Sequence, residues 1–148
     1  KKNKKIKLII IGSGIEKNNV LNLAKKLKVK ERIIFKNFIN PVSYYNKSGI
    51  LILNSFFEGL PNVLIEGLKF KIPIISTKCL SGPSEILGNG KYGYLVDVDN
   101  DFQMAKKVEE VLRNYDLALK KTDLAAKSLV RFELDKQCKK YEKIIYKL

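Results

Sequence analysis

The chain has 148 residues, 45% of them hydrophobic, which suits a single globular domain, and no apolar run reaches the ~18 residues that a membrane span needs. It has no histidine and two widely separated cysteines, which excludes histidine-based nucleophile systems within the chain and disfavours a zinc site or a disulfide framework. The formal net charge is +14, yet only three of the 29 basic residues are arginines, so a solvated lysine surface or an anionic membrane surface is favoured over nucleic acid.

The first two thirds of the chain alternate short apolar runs with helical patterns. Residues 6–11 are apolar except for Lys7, as in a strand that is buried on both faces, and they end at Gly12-Ser13-Gly14. Further strands are predicted at residues 32–35, 50–53, 72–76 and 94–96, with helices at residues 18–27, 41–45 and 61–70. Strands that alternate with helices through short loops predict a parallel α/β sheet.

The last third of the chain is helical from residue 101 onward. Two further helices are predicted at residues 117–130 and 134–148. The final helix carries an apolar stripe at spacings of three to four residues: Leu134, Cys138, Tyr141, Ile145 and Leu148. Such a stripe is expected to cover a surface, either on this domain or on a neighbouring one.

Two glycines follow the first predicted strand. Gly12-Ser13-Gly14 resembles the start of the dinucleotide motif G-x-G-x-x-G, but Lys17 stands at the third glycine position and no acid closes the second strand. A redox dinucleotide site is therefore disfavoured. Gly12 and Ser13 form either a plain strand–helix turn or the border of a ligand crevice, because ligands of open α/β sheets bind beyond the carboxyl ends of strands.

The most informative stretch is residues 54–66, which contains Glu58 and Glu66. Glu58 and Gly59 follow the third strand, and Pro61 occupies the first turn of the next helix, where its missing N–H costs no hydrogen bond. Glu66 lies farther along that helix, and its carboxylate can accept both hydrogens of a vicinal diol such as a ribose. The N–H groups at the helix start suit a phosphate or a sugar hydroxyl. The alternative is that Glu58 caps the helix and Glu66 is a surface acid.

Two shorter features accompany this stretch. Residues 81–85 follow the fourth strand, and Gly82 with the next N–H groups forms either a second anion-binding helix start or a plain turn with proline at the first helical position. Tyr44 and Tyr45, on the short helix, are expected to pack in the interior rather than to stack on a ligand.

In this order, the motifs resemble the C-terminal half of a GT-B glycosyltransferase of the large retaining family four, the glycosyl transferases of group 1. The family pattern is a strand, G-x-G and a helix, then an F-x-G-like loop, then Ser-x-x-Glu-Gly-x-Pro-x-x-x-x-Glu. It is matched here by residues 8–14, 35–38 and 55–66, and beyond them by residues 72–76, 82–87 and 89–96. The resemblance implies a Rossmann-like parallel sheet flanked by helices, and one nucleotide-sugar-binding domain over residues 1–148.

The resemblance also implies a role for each acid. Glu66 would hydrogen-bond the ribose of a UDP- or GDP-type sugar donor. Glu58, the catalytic candidate, would touch hydroxyls of the donor sugar and help to place the acceptor. The backbone N–H groups of Gly59 and Leu60 would meet the sugar or the diphosphate.

The remaining donor contacts would come from the first part of the chain. Asn37 and Phe38 would lie against the nucleobase, and Gly12 and Ser13 would border the nucleotide sugar. Members of the family retain the anomeric configuration and generally bind neither metal nor cofactor. The donor phosphate is thought to take the acceptor proton in these enzymes, which is compatible with the absence of histidine.

The chain departs from the family pattern at its start. The Arg and Lys that grip the diphosphate would lie upstream of Lys1, and the acceptor-binding N-terminal domain is absent. We therefore expect a domain cut from a two-domain hexosyltransferase, one that binds donor weakly and transfers nothing alone. The expected acceptor is a glycan or lipid-linked carrier of a bacterial surface polysaccharide. The expected location is cytoplasmic, with the lysines against the inner face of the membrane.

Two other functions remain open from the sequence. A sugar-nucleotide epimerase shares the GT-B architecture, but such enzymes usually draw on histidine, which this chain lacks. A non-catalytic Rossmann-like binding module would leave the arrangement of Glu58 and Glu66 unexplained.

Overall fold

The computed structural model describes residues 6–37 and 39–146, and the chain divides into two compact units, Lys1–Tyr44 and Tyr45–Leu148. The first unit contains two strands and one long helix: β1 (Leu8–Ile11), α1 (Lys17–Lys26) and β2 (Ile33–Lys36). β1 and β2 are parallel, with Leu8 opposite Ile33 and Ile11 opposite Lys36. The unit boundary falls within a short helix, α2 (Val42–Tyr45).

The second unit is built on a three-stranded parallel sheet in the order β3 (Leu51–Leu53), β4 (Ile74–Thr77), β5 (Tyr94–Val96). All four residues of the central strand β4 are buried. Successive strand residues point to opposite faces, so β4 is covered on both sides, as its apolar sequence favours. The predicted parallel α/β class is therefore confirmed.

Helices follow the strands of this sheet. Their bounds are α3 (Asn62–Lys69), α4 (Pro83–Ile86), α5 (Asp101–Arg113), α6 (Tyr115–Ser128) and α7 (Leu134–Ile145), with 3₁₀ turns at Lys30–Arg32, Gly88–Gly90 and Leu129–Phe132. The start of α5 is capped by Asn100, whose side-chain oxygen accepts the N–H of Gln103 at 2.9 Å. None of the helices within the described residues is long and apolar enough to span a bilayer.

The core of the second unit lies on the two faces of its sheet. One cluster contains Leu64, Leu68, Ile74, Ile86, Leu87 and Ala125. The other contains Ile75, Val96, Val111 and Ala118. Ile74 and Ile75 are adjacent in β4 and therefore belong to different clusters. Each fully buried Leu or Ile side chain contributes about 1.5–3 kcal/mol through removal of apolar surface from water.

A glycine allows α3 to lie close to the sheet. A Cβ atom on Gly67 would lie 2.5 Å from Cδ2 of Leu51 and 3.1 Å from Cδ1 of Ile74. The glycine therefore permits a close approach of helix to strand. The carboxyl-terminal half of α3 is thereby pressed against β3 and β4, which positions Glu66 relative to the sheet edge.

Two sequence-based expectations change with the structure. β1 is not buried on both faces, because Leu8 is 45% exposed and Ile11 is 37% exposed within the chain; β4 is the fully buried strand. The apolar stripe of α7 stays open, since the described part of that helix contains no buried residue and Leu134 is 76% exposed. The stripe was expected to cover a surface either on this domain or on a neighbouring one. Among the described residues, no surface of this domain buries it.

Two helices end in the same motif with lysine at an unusual position. After α1, Lys28 has φ 56°, its N–H donates to the carbonyl of Lys25, and the next N–H donates to Ala24. After α3, Lys71 has φ 54° and the equivalent bonds join Lys71 to Leu68 and Ile72 to Gly67. These are Schellman endings, whose left-handed residue is usually glycine.

Candidate functional site

Three loops leave the carboxyl edge of the three-stranded sheet. Because β3, β4 and β5 are parallel, their exits at residues 54–61, 78–82 and 97–100 share that edge. Ligands of open α/β sheets bind there. The first of these segments, residues 54–61, carries Glu58, Gly59 and Leu60 and is called the glutamate loop below.

The glutamate loop is tied to β4 where it begins. The Thr77 hydroxyl is buried, donates to the carbonyl of Ser55 at 2.6 Å and accepts the N–H of Ser55 at 3.1 Å. The thiol of Cys79, also buried, donates to the same carbonyl at 3.0 Å. One residue of the loop therefore has both backbone polar groups satisfied by side chains of the neighbouring strand exit, which holds the two exits together.

A second tie holds the middle of the glutamate loop. The Ser81 hydroxyl donates to the backbone carbonyl of Glu58 at 2.7 Å. The next residue, Gly82, has φ 75°, and a Cβ placed on it would lie 2.1 Å from the carbonyl oxygen of Gly59 and 2.6 Å from Cδ of Pro61. Only a glycine fits this backbone conformation at this distance. The predicted turn at residues 81–85 thus acts as a support for the loop that carries Glu58.

The end of the glutamate loop sets the start of α3. Pro61 is buried, has φ −71° and occupies the N-cap position, with no side-chain cap hydrogen bond. The alternative in which Glu58 caps this helix is therefore wrong. Glu58 is half-buried, while Gly59 and Leu60 are exposed. Backbone N–H groups in an exposed glycine segment before a helix start suit an anionic or hydroxylated ligand.

Glu66 is held by a tyrosine. Its Oε2 accepts a hydrogen bond from the hydroxyl of Tyr45 at 2.6 Å. Tyr45 is 6% exposed, and its ring packs against Phe70 with 5.2 Å between ring centroids. Burial, the hydrogen bond to Glu66 and the negative charge of that carboxylate raise the pKa of Tyr45 far above its ordinary value. The phenol therefore remains a donor, and Glu66, itself exposed, keeps an oxygen free of this bond.

A polar hollow opens at the same sheet edge, on the side of β5. Its volume is about 110 Å³. It is lined by the start of the glutamate loop, by β4 and by the segment that leads into α5: Asn54, Ser55, Phe56, Thr77, Val98, Asp99, Asn100 and Asp101. Neither Glu58 nor Glu66 lines it, so it is a separate feature from the surface that carries the two glutamates.

The other predicted site residues belong to the first unit. Gly12 follows β1 with φ 138°, its N–H donates to the carbonyl of Lys36 at 2.9 Å, and a Cβ placed on it would meet no heavy atom within 4 Å. Ser13 is exposed, and so is Asn37, directly after β2. Phe38 lies outside the described residues. The backbone at Gly12 is thus open among the described residues, which is compatible with both interpretations of the G-x-G turn.

Sequence reasoning missed three supporting residues. Tyr45 was expected only to pack, and it does pack on Phe70, but its hydroxyl also binds Glu66. Thr77 and Ser81 were assigned no contact with the glutamate loop. No local pattern signals these bonds, because the partners are 21 to 23 residues apart along the chain. The only available hint was a polar residue at the exit of a buried strand.

Comparison with known proteins identifies the family. Residues 1–128 match the model of the family described as Glycosyl transferases group 1. The chain is 37% identical over 117 residues to an uncharacterized glycosyltransferase of Haemophilus influenzae, covering 78% of this chain and 33% of that protein. It is 36% identical over 110 residues to the N-acetylgalactosamine-N,N'-diacetylbacillosaminyl-diphospho-undecaprenol 4-alpha-N-acetylgalactosaminyltransferase of Campylobacter jejuni, covering 74% of this chain and 30% of that protein.

The fold also matches that of a solved crystal structure. The crystal structure of Anabaena HepE in complex with UDP superimposes with a TM-score of 0.86 at 16% identity, covering 99% of this chain and 42% of that one. At this identity the likeness bears on fold alone, and it confirms the C-terminal half of a GT-B fold that the sequence predicted. The chain spans about a third of the length of the curated relatives described above.

Proposed function

Because the chain belongs to the glycosyl transferases of group 1, we propose that it is the donor-binding domain of a retaining hexosyltransferase. The enzyme moves a sugar from a UDP- or GDP-type nucleotide sugar to a glycan or lipid-linked acceptor. The observation that carries the proposal is the support of the glutamate loop by Thr77 and Ser81, together with the bond from Tyr45 to Glu66. These contacts hold two acids on adjoining elements at the sheet edge where ligands of this class of fold bind.

The donor and the acceptor class draw support from related proteins. HepE was crystallised with UDP, which favours a uridine nucleotide among the candidates. The Campylobacter relative is named for an acceptor on diphospho-undecaprenol, which favours a lipid-linked acceptor. An enzyme with such an acceptor would work at the inner face of the membrane. The net charge of +14 is compatible with attraction to that anionic surface.

Each site residue has a proposed role. Glu66 accepts hydrogen bonds from the ribose hydroxyls, and Glu58 contacts the hydroxyls of the donor sugar and helps to place the acceptor. Backbone N–H groups of Gly59 and Leu60 donate to the sugar or the diphosphate. Fixed N–H donors suit such a ligand because they need no reorganisation as negative charge develops on the leaving diphosphate.

The nucleobase contacts and the route of the acceptor proton are also part of the proposed mechanism. From the family resemblance alone, we propose that Asn37 and Phe38 contact the base and that Gly12 and Ser13 border the nucleotide. The acceptor proton passes to the donor phosphate, so the protein needs no histidine base, and the chain has none. We propose that neither a metal nor a cofactor takes part.

Transfer also needs a second part of the protein. An acceptor must be fixed against the donor before reaction, and such positioning supplies a large share of the rate. This chain spans about a third of its curated relatives. We therefore propose that the acceptor site and the cationic groups that grip the diphosphate lie in the remaining part, and that this chain alone binds the nucleotide without transferring sugar.

Nucleotide titration tests the proposal. UDP and GDP added separately at millimolar concentration to the isotope-labelled chain are expected to shift amide resonances of Gly59, Leu60 and Glu66. Glu66→Ala should reduce those shifts, because it removes the ribose acceptor. The matched control is Glu109→Ala, which removes an exposed acid from α5. Unchanged resonances with both nucleotides would remove the donor site from this chain.

A further inference from the structure

We propose that Tyr45 is a positioning residue, which fixes the carboxylate of Glu66 in the orientation that reads the two hydroxyls of a nucleotide ribose. The inference rests on the proposed function and extends it to a residue that itself touches no substrate. Its basis is the hydrogen bond of 2.6 Å from the Tyr45 hydroxyl to Oε2 of Glu66. That bond joins a buried side chain to an exposed one.

The tyrosine is a rigid support. It is 6% exposed, lies at the carboxyl end of α2 and packs its ring against Phe70. Phe70 follows α3 directly, so the same aromatic contact connects Tyr45 to the helix that carries Glu66. A donor held in this way cannot follow a glutamate that changes rotamer, and the carboxylate must come to the phenol to satisfy it.

The bond engages one carboxylate oxygen of Glu66 and leaves the other for a ligand. A hydrogen bond to an ionised oxygen is among the stronger ones, and this one is short. With Oε2 engaged, the carboxylate plane is set, and Oε1 together with the remaining lone pair of Oε2 faces other donors. A free glutamate side chain loses up to about 1.5–2 kcal/mol of rotamer entropy when it is ordered. Tyr45 imposes that ordering before the nucleotide arrives, so less affinity is lost on binding.

A purely structural role makes a different prediction. A buried phenol needs an acceptor, and an exposed Glu66 could serve that need alone. In that case the loss of the hydroxyl would change the stability of the fold and leave nucleotide recognition untouched. The positioning role instead predicts that the loss of the hydroxyl weakens binding only of ligands that present a vicinal diol.

The substitution Tyr45→Phe separates the two. It keeps the ring against Phe70, leaves no buried polar atom behind, and frees Glu66 to water because that side chain is exposed. The matched control is Tyr115→Phe. The hydroxyl of Tyr115 donates to the carbonyl of Gly49 at 2.9 Å, so this variant also loses one tyrosine hydrogen bond of the same unit, but not one to Glu66.

The experiment measures affinities of UDP and 2′-deoxy-UDP, with GDP as the second probe, for the full 148-residue chain by calorimetry or resonance shifts. Tyr45→Phe should weaken UDP about three- to tenfold, the usual range for one hydrogen bond. Binding of 2′-deoxy-UDP should change less, so the affinity ratio of the two nucleotides falls. In a Glu66→Ala background, Tyr45→Phe should have no further effect. Tyr115→Phe should leave both affinities unchanged.

The possible failures are distinct. If the unsubstituted chain binds neither UDP nor GDP, the proposed function fails and the role of Tyr45 falls with it. If Glu66→Ala weakens UDP but Tyr45→Phe does not, the donor site stands and the positioning role is overturned. The positioning role is also overturned if Tyr45→Phe weakens UDP equally with and without Glu66, because Tyr45 would then act through some other group. A loss of equal size in Tyr115→Phe overturns it as well.

Discussion

The backbone of Gly82 lies so close to that of Gly59 that a Cβ atom on the first would stand 2.1 Å from the carbonyl oxygen of the second. No real side-chain carbon tolerates that distance to a backbone oxygen. The two loops that leave β3 and β4 are therefore in direct backbone contact. The shape of the glutamate loop depends on a residue 23 positions farther along the chain, beyond β4.

Gly82→Ala tests this contact. The added methyl must displace the backbone of Gly59 or of the 78–82 loop, in addition to the strain at φ 75°. We expect a loss of about 1–3 kcal/mol in the free energy of unfolding, and weaker binding of UDP. The control is Gly90→Ala, since Gly90 has φ 93° but nothing within 4 Å of its added Cβ. Equal effects of the two variants, measured by denaturant unfolding, would show that strain alone acts.

Thr77→Val tests the tie at the start of the glutamate loop. Valine has the same shape but removes the acceptor for the N–H of Ser55 and one donor to its carbonyl. A partly buried N–H left without a partner costs about 1–3 kcal/mol, so the free energy of unfolding should fall by that amount. Thr122→Val is the control. Its buried hydroxyl donates to the carbonyl of Leu119 within α6. That carbonyl keeps its backbone hydrogen bond in the helix when the hydroxyl is removed. A smaller loss at Thr77 than at Thr122 would contradict the tie.

Glycine at position 28 should stabilise the chain. Lys28 has φ 56° in a Schellman ending, a backbone conformation that costs a residue with a Cβ about 1 kcal/mol relative to glycine. We expect Lys28→Gly to raise the thermal midpoint by about 2–4 °C, measured by calorimetry or circular dichroism. Lys28→Ala removes the same charge but keeps the Cβ, and should bring no gain. A gain in both variants would point to charge rather than to backbone conformation.

Alkaline pH should destabilise the chain through Tyr45. Burial, first, and then the bond to Glu66 and its charge raise the pKa of this phenol, so the folded chain keeps a proton that the unfolded chain releases near pH ~10. Stability from this group is present in full below that pH and is lost as pH rises above it. Tyr45→Phe should lose less stability between neutral and strongly alkaline pH than the unsubstituted chain does. Parallel pH profiles of unfolding for the two proteins would contradict the assignment.

Substitutions of Glu66 and Glu58 should affect different kinetic constants. In a transferase that contains this chain, Glu66→Ala should raise KM for the nucleotide sugar by about tenfold or more, because it removes hydrogen bonds to an ionised acceptor in the ground state. Glu58→Ala should act chiefly on kcat, since Glu58 is proposed to meet the donor sugar and the acceptor. Unaltered steady-state rates in both variants would refute the roles. Glu109→Ala, on the exposed face of α5, serves as the reference substitution.

The elements with local signals were predictable. β5 occupies residues 94–96 as the pattern indicated, and α3 begins one residue after Pro61 because proline supplies its cap position. β4 begins at residue 74 rather than 72, since Pro73 has no N–H for the sheet. The bond between Tyr45 and Glu66 and the contact of Gly82 with Gly59 depend on how separate elements pack. No spacing along the chain encodes such contacts.

For α7, the sequence predicted the amphipathic helix but not the surface that covers its apolar stripe. Its spacing indicated an amphipathic helix and the need for a covering surface, and the helix is present at residues 134–145. The spacing within one helix carries no information about which other surface packs against it. Residues such as Leu134 and Tyr141 therefore stay exposed within the described part of this chain.

The ties of the glutamate loop also bear on its motion. The backbone is anchored at Ser55 by Thr77 and at Glu58 by Ser81, so only Phe56 and Phe57 lie between two fixed points. A segment that short has little room for a hinge of the kind that lets a lid open and close over microseconds to milliseconds. The backbone at Glu58 is thus expected to move together with the sheet. The amide of Ser55 should exchange with solvent deuterium more slowly than is usual for a loop.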